Sequence, residues 1–127
     1  MAGDIAALID HLGLDKPDVA GYSLGGGVAL QTAAQYPDKV RRLVAASANI
    51  RPDAIFPEIR AQGQVNAAAM EFVKSTPMYQ NYQRIAPHPE DFPRLLNKIG
   101  DSMAKDFDFT EDVRGLKLPT LIVAADA

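Results

Sequence analysis

The sequence predicts an α/β fold in which about three parallel strands are flanked by helices and interrupted by a helical insertion. A short strand, a glycine-rich turn and a helix follow one another between residues 18 and 36. Near the C-terminus, residues 120–125 form an apolar run without alternation, which is typical of a parallel strand covered on both faces. Between these regions, segment 50–114 is rich in polar residues, methionine and proline, and its apolar residues follow helical spacing.

The elements of the framework can be assigned in chain order. Apolar residues at positions 5, 8, 9 and 12 predict an amphipathic helix, and Gly13 suits its C-terminal cap. Asp18-Val19-Ala20 is predicted to be a strand, and a helix is expected from Leu24 until Pro37 stops it. A second strand is expected over 40–47, and Pro119 precedes the third.

The segment between the second and third strands is interpreted as an insertion. One helical stripe comprises residues 65, 68, 69, 72 and 73, and another comprises residues 92, 95, 96, 99 and 103. Pro77, Pro87 and Pro89 punctuate the stretch between them. The predicted organisation is therefore a core over 1–49, a helical insertion over 50–114, and a returning core strand over 115–127.

Composition excludes several classes of function. The 127 residues carry a formal net charge of −3 and show no basic block, which argues against nucleic acid as a partner. The sequence has no cysteine and only two histidines, so neither a disulfide framework nor a zinc site is expected. It shows neither a signal-peptide pattern nor an apolar stretch long enough for a membrane span, so a cytoplasmic location is the expectation.

The stretch Gly21-Tyr22-Ser23-Leu24-Gly25 matches the pattern G-x-S-x-G in the strand–turn–helix context that a nucleophile elbow requires. A reversal from strand to helix within a few residues forces Ser23 into an uncommon backbone conformation and leaves its side chain at the tip of the turn. At Gly21 and Gly25, a Cβ is expected to collide with neighbouring backbone. The N–H group of Leu24, at the positive end of the helix, can stabilise an oxyanion.

The glycines allow two other interpretations. One is a structural turn with an inert serine. The other is a phosphate cradle, but Gly27 occupies the position of the Walker A lysine, and the G-x-G-x-x-G spacing that starts at Gly25 fails at Leu30. A serine nucleophile therefore remains the favoured hypothesis.

The chain resembles the α/β-hydrolase superfamily, specifically its esterase- and lipase-like members with a helical cap. The strongest part is DIAALIDHLGLDKPDVAGYSLGGGVALQTAAQYPDKVRRLVAASA, and GLKLPTLIVAADA resembles the later strand that leads to the catalytic acid. The resemblance implies a partial α/β-hydrolase fold with segment 50–114 as the cap. It also implies a triad in the chain order serine, acid, histidine, with Ser23 as the nucleophile.

The resemblance is incomplete at the triad. The usual acid position lies about two residues beyond Asp126, so Asp126 is either the acid in a shifted register or a turn aspartate. The catalytic histidine would come later in the chain. His11, at the end of the first helix, and His88, between two prolines, are expected to be surface or packing residues because neither follows the acid.

The predicted function is that of a serine hydrolase of carboxylic esters or related acyl compounds, acting on a small molecule without a cofactor or metal. Lactone opening, C–C bond hydrolysis and perhydrolysis remain open as subtypes. The alternatives are a non-catalytic binding protein of the same fold and an inactive gene fragment. Since the resemblance covers only the middle of a hydrolase, this chain alone is expected to be inactive and to self-associate through an open sheet edge.

Five residues of the insertion could line an acyl pocket or could instead pack cap against core: Met70, Met78, Tyr79, Tyr82 and Phe92.

Overall fold

A computed structural model describes residues 1–54, 67–103, 105 and 107–124 of the chain. The chain forms two compact units. The first comprises Met1–Ala54 and Phe107–Ala127, and the second comprises Ile55–Asp106. The predicted insertion ran from 50 to 114, so both of its predicted bounds lie inside what the structure assigns to the first unit.

Helix α1 spans Ala2–His11 and packs its small and branched residues inward, with Ala2, Ala6 and Ile9 buried. It ends as predicted: Gly13 has φ +63°, and the N–H of Leu14 donates to the carbonyl of Ile9 at 3.1 Å. This bond satisfies a carbonyl that the end of the helix would otherwise leave unpaired.

Three parallel strands form one sheet in the order β1-β2-β3, with β1 at Asp18–Tyr22, β2 at Arg42–Ala46 and β3 at Thr120–Val123. Asp18 pairs with Arg42 and Tyr22 with Ala46, while Leu43 pairs with Thr120. Helix α2, Leu24–Gln35, connects β1 to β2. The predicted parallel α/β framework of about three strands is confirmed.

The core lies between α2 and one face of the sheet. It contains Ala29, Leu30, Ala33, Val40, Leu43 and Ala45, all no more than 3% exposed. Because side chains alternate along a strand, Leu43 and Ala45 face α2 while Val44 and Ala46 point the other way. Thr32, also fully buried, donates its hydroxyl to the carbonyl of Val28 at 2.7 Å.

The prediction that the last strand is covered on both faces is wrong for the described part of the chain. β3 is exposed along its whole length, and Leu121, Ile122 and Val123 are 57%, 58% and 45% exposed. The strand lies at the edge of the sheet, and the main core is formed by α2 with the residues of β1 and β2. The apolar sequence of β3 indicates a strand, but the burial of its side chains depends on which elements pack against it.

The second unit contains α3 at Ala67–Lys74, α4 at Pro77–Ile85 and α5 at Phe92–Met103. Helix α4 was not predicted, because Pro77 was interpreted as punctuation. It is instead the first residue of the helix, where a proline is tolerated since that N–H has no intrahelical partner. A short helix, α6 at Thr110–Arg114, follows in the first unit and precedes β3.

Candidate active site

Ser23 lies on the turn between β1 and α2, at the carboxyl end of the sheet. Its backbone has φ +55° and ψ −122°, a region that residues with a side chain rarely occupy and that costs on the order of 1–3 kcal/mol. Its N–H donates to the carbonyl of Ala46 at 2.9 Å, which continues the strand pairing up to the turn. The side chain is exposed and does not cap the helix that follows. The hydroxyl is therefore presented at the tip of the turn.

Two glycines make this turn possible because they lack a Cβ where the backbones approach closely, and not because they are flexible. A Cβ on Gly21 would lie 2.0 Å from the carbonyl oxygen of Gly25, a distance that no packing adjustment relieves. A Cβ on Gly26 would lie 2.8 Å from the Cβ of Ala48. Gly21 and Gly26 thus allow the first turn of α2 to lie directly against the ends of β1 and β2.

The expectation that a Cβ on Gly25 would collide with neighbouring backbone is wrong. Among the described residues, a Cβ on Gly25 would meet no atom within 4 Å, apart from its own neighbours in the helix. Gly25 is exposed on the outer side of the turn, while Gly21 faces the helix, so only one of the two motif glycines is demanded by sterics.

The first turn of α2 supplies donors beside the hydroxyl. The first hydrogen bond of the helix runs from the N–H of Gly27 to the carbonyl of Ser23 at 3.2 Å. The N–H groups of residues 24–26 precede it, and such groups carry the positive end of the helix dipole. Leu24, next to Ser23, is 44% exposed. An anion formed at Ser23 would therefore lie near polarised N–H groups.

A second strained serine lies beside Ser23, and sequence reasoning missed it. Ser47 follows β2 directly, is exposed, and has φ +49°. Its N–H donates to the carbonyl of Val123 at 2.8 Å. Because Tyr22 pairs with Ala46, the next residues along the two strands are Ser23 and Ser47. The sequence signal was a serine directly after each of the first two strands.

A cavity of about 670 Å³ lies in the first unit at the other end of the sheet. Lys16, Arg41 and Lys117 line it, and these residues precede β1, β2 and β3 respectively. Ser23 is not among the lining residues, so this cavity cannot receive a substrate for its hydroxyl. Within the described ranges, no group of three or more histidine or carboxylate side chains could hold a metal ion.

Comparison with known proteins identifies the fold family. The family described as "alpha/beta hydrolase fold" matches residues 1–109, which is most of the chain. The chain belongs to the α/β-hydrolase family.

Two individual relatives of the chain are named as an esterase and a carbamate hydrolase. The pimeloyl-[acyl-carrier protein] methyl ester esterase of Neisseria meningitidis serogroup B is 35% identical over 111 residues, covering 80% of this chain and 42% of that protein. The provisionally named carbamate hydrolase RutD of Azorhizobium caulinodans is 24% identical over 143 aligned positions, covering 98% of this chain and 53% of that protein. The chain thus spans about half the length of the curated relatives it matches.

A solved structure gives the same result. The crystal structure of a hydrolase from Pseudomonas aeruginosa PA01 superimposes with a TM-score of 0.62 at 27% identity. The match covers 98% of this chain and 52% of that one. Both comparisons place the chain in a family of hydrolases. In addition, no helix in the described ranges is long and apolar enough to cross a membrane.

The structure does not bring His11, the candidate histidine of the first unit, to Ser23. His11 lies in the last turn of α1, which leads into the amino end of β1, opposite the serine. His88 belongs to the second unit, where its Nδ1 lies 3.2 Å from Oε1 of Glu90 and both side chains are about 70% exposed. Asp126 lies outside the described residues, so its role as the acid stays a prediction.

Three aromatic residues of the second unit pack on one another. The ring of Phe92, which is 3% exposed, lies 4.7 Å from that of Tyr79 and 5.0 Å from that of Tyr82, measured between centroids. Met78 is 62% exposed, and the side chain of Met70 lies outside the described part of the structure. The three rings therefore form a local core of the second unit.

Proposed function

We propose that Ser23 is the nucleophile of a serine hydrolase that acts on carboxylic esters or related acyl compounds. The observation that carries the proposal is the conformation of Ser23: φ is +55°, the hydroxyl is exposed, and its side chain does not cap the helix. A merely structural serine at a helix start usually caps the helix with its oxygen. The esterase relative supports the ester substrate, and the family supports hydrolysis in general.

The chemistry follows from the turn. Ser23 Oγ forms a bond to the carbonyl carbon of the substrate as its proton passes to a base, and the carbonyl oxygen becomes an oxyanion. The N–H of Leu24 donates a hydrogen bond to that oxygen, in a position where no reorganisation is needed. The C–O bond to the leaving group then breaks, the leaving alcohol takes the proton, and water hydrolyses the acyl-serine by the same steps.

The base is the part of the mechanism that the described residues of the first unit do not supply. His11, the histidine of that unit, lies in the last turn of α1, which leads into the amino end of β1 at the opposite end of the sheet from Ser23. The proposal therefore assigns the nucleophile and one oxyanion donor to this chain. It leaves the histidine, the acid and a second donor to a longer in-frame product, and expects this chain alone to be inactive.

The test is to compare the chain with any longer in-frame gene product that contains it. The longer product should react with a fluorophosphonate probe at Ser23 and hydrolyse short p-nitrophenyl esters, and Ser23→Ala should abolish both. Loss of a triad nucleophile lowers turnover by a factor on the order of 10⁶. Ser102→Ala is the matched control, since Ser102 is also an exposed serine but lies on α5 in the second unit. Labelling that persists in Ser23→Ala would place the nucleophile elsewhere.

A non-catalytic binding protein is the second candidate, favoured by the position of His11, the histidine of the first unit, at the opposite end of the sheet from Ser23. The sequence downstream of this chain would distinguish an enzyme from a binding protein. An enzyme needs an acid soon after the third strand and a histidine later, whereas a binding protein needs neither. An in-frame extension that contains neither residue would support the binding protein.

A further inference from the structure

Two residues at the carboxyl end of the sheet are held at positive φ although neither is glycine. Ser23 has φ +55° and Ser47 has φ +49°. Each conformation costs on the order of 1–3 kcal/mol and persists only where the surrounding structure holds it in place. In the same chain, Gly13 occupies φ +63° at the end of α1, where glycine adopts that conformation without strain. A glycine at 47 would likewise avoid the strain, so the serine side chain there calls for an explanation.

The contacts around Ser47 explain why the backbone bends there. Its N–H is bonded to the carbonyl of Val123, so the residue is still part of the sheet. The next residue, Ala48, already lies over the first turn of α2, with its Cβ 2.8 Å from where a Cβ of Gly26 would be. Within one residue the chain must leave the sheet and cross the helix that begins at Ser23. This accounts for the positive φ, but it does not require a hydroxyl.

Ser23 and Ser47 directly follow the paired ends of two neighbouring strands. Tyr22 pairs with Ala46, and the N–H of Ser23 donates to the carbonyl of Ala46 at 2.9 Å, so the backbones of the two serines are adjacent. Both residues are exposed. The carbonyl carbon that Ser23 Oγ attacks carries three other atoms, one of which is the next carbon of the acyl group. A polar atom on that next carbon can reach a hydroxyl group at the end of the adjacent strand, at a hydrogen-bond distance of roughly 2.7–3.0 Å.

We propose that Ser47 is a specificity-determining residue whose hydroxyl binds a polar group on the carbon next to the reacting carbonyl. The preferred substrates are therefore esters of 2-hydroxy or 2-oxo acids rather than of plain alkanoic acids. This inference rests on Ser23 being the nucleophile and adds the side of the site that β2 provides. The hydrogen bond is between neutral groups, so its loss should change the rate moderately and not abolish it.

The experiment compares ethyl lactate with ethyl propionate, which differ only by the 2-hydroxyl group, in the chain and in any longer in-frame product. The protein should prefer lactate. Ser47→Ala should lower kcat/KM for lactate about 3- to 10-fold, mainly through KM, and leave propionate within about 2-fold. Ser47→Asn keeps a hydrogen-bonding group in a residue that tolerates positive φ, and should restore part of the preference.

Ser47→Gly separates strain from recognition. It should resist denaturant better than the parent, because glycine relieves the strain, and yet lose the preference for lactate as Ser47→Ala does. A preference unchanged in both Ser47→Ala and Ser47→Gly, while Ser23→Ala abolishes turnover, would overturn the role of Ser47 and leave the nucleophile assignment intact. Turnover that survives Ser23→Ala, or no turnover in either form of the protein, would overturn both.

Discussion

The central strand and the edge strand of the sheet differ sharply in burial although both are apolar. On β2, Leu43 and Ala45 are each 1% exposed where they face α2. On β3, both faces are exposed: Ile122, which pairs with Ala45 and so shares the face toward α2, is 58% exposed, and Leu121, which pairs with Val44 on the other face, is 57% exposed. A parallel sheet normally buries both faces. An apolar sequence allows the side chains of a strand to be buried, but the neighbouring elements decide whether they are.

The largest effect on stability is expected where the end of β1 meets the first turn of α2 most closely. Gly21→Ala would put a Cβ 2.0 Å from the carbonyl oxygen of Gly25, so the turn must move. The expected loss is about 4 kcal/mol or more of unfolding free energy, which is exceptional for one substitution. Gly25→Ala is the control, because its Cβ meets no described atom nearby. Urea unfolding of the two variants measures the difference, and equal losses would contradict the geometry.

A matched pair of leucines tests the central and the edge strand directly. Leu43→Ala should cost about 2–5 kcal/mol, because it leaves a cavity under α2. Leu121→Ala should change stability by no more than about 0.5 kcal/mol, since the side chain is already in contact with solvent. Denaturant titrations with equal m-values would report both. If Leu121→Ala were as costly as Leu43→Ala, the edge strand β3 would be covered in solution.

Self-association is the next expected effect, and it concerns the exposed strand β3 and the two edges of the sheet. Among the described strands, β1 and β3 each pair on one side only. We propose that a second copy of the chain pairs there, so light scattering should give a mass above that of the monomer. Leu121→Lys places a charge on the exposed strand and should lower that mass. A monomer in the unmodified protein, at concentrations on the order of 100 μM, would rule out this surface.

The smallest effect is expected at the amino end of the sheet, where Asp18 on β1 accepts two hydrogen bonds from Arg41. The distances are 2.9 Å from Nε to Oδ1 and 3.0 Å from Nη2 to Oδ2. These hydrogen bonds, followed by the charge of Arg41, lower the pKa of Asp18. A lowered folded-state pKa stabilises the fold above the unfolded value of about 3.9 and loses that contribution as pH falls through the folded value.

Asp18→Asn should therefore be slightly less stable than the parent at pH 7, and the difference should shrink as the pH falls below about 3.9. The pair is exposed, so the difference should also shrink in high salt. Urea midpoints across this pH range measure it. A difference that did not shrink as the pH falls would show that the carboxylate charge is not its cause.

Most of the framework could be predicted because its signals are local. Periodic apolar residues defined α1, α2 and the three strands, and G-x-S-x-G marked the turn with Ser23. Helix α4 could not be predicted by treating Pro77 as a breaker, since the same residue is favourable at the first position of a helix. Which of two motif glycines is sterically required depends on atoms of another element, so Gly21 and Gly25 look alike in sequence.

The sequence by itself determined the chain order of α1, β1, α2, β2 and β3, the position of the serine turn and the family, because each follows from short-range patterns of residue type. Only the tertiary structure decided that Leu43 and Ala45 of the central strand are buried against α2 while the edge strand β3 is exposed on both faces, since burial depends on which elements pack there. Only the tertiary structure also placed Ser47 beside Ser23. That juxtaposition depends on the register between β1 and β2, which joins residues 24 positions apart through backbone hydrogen bonds.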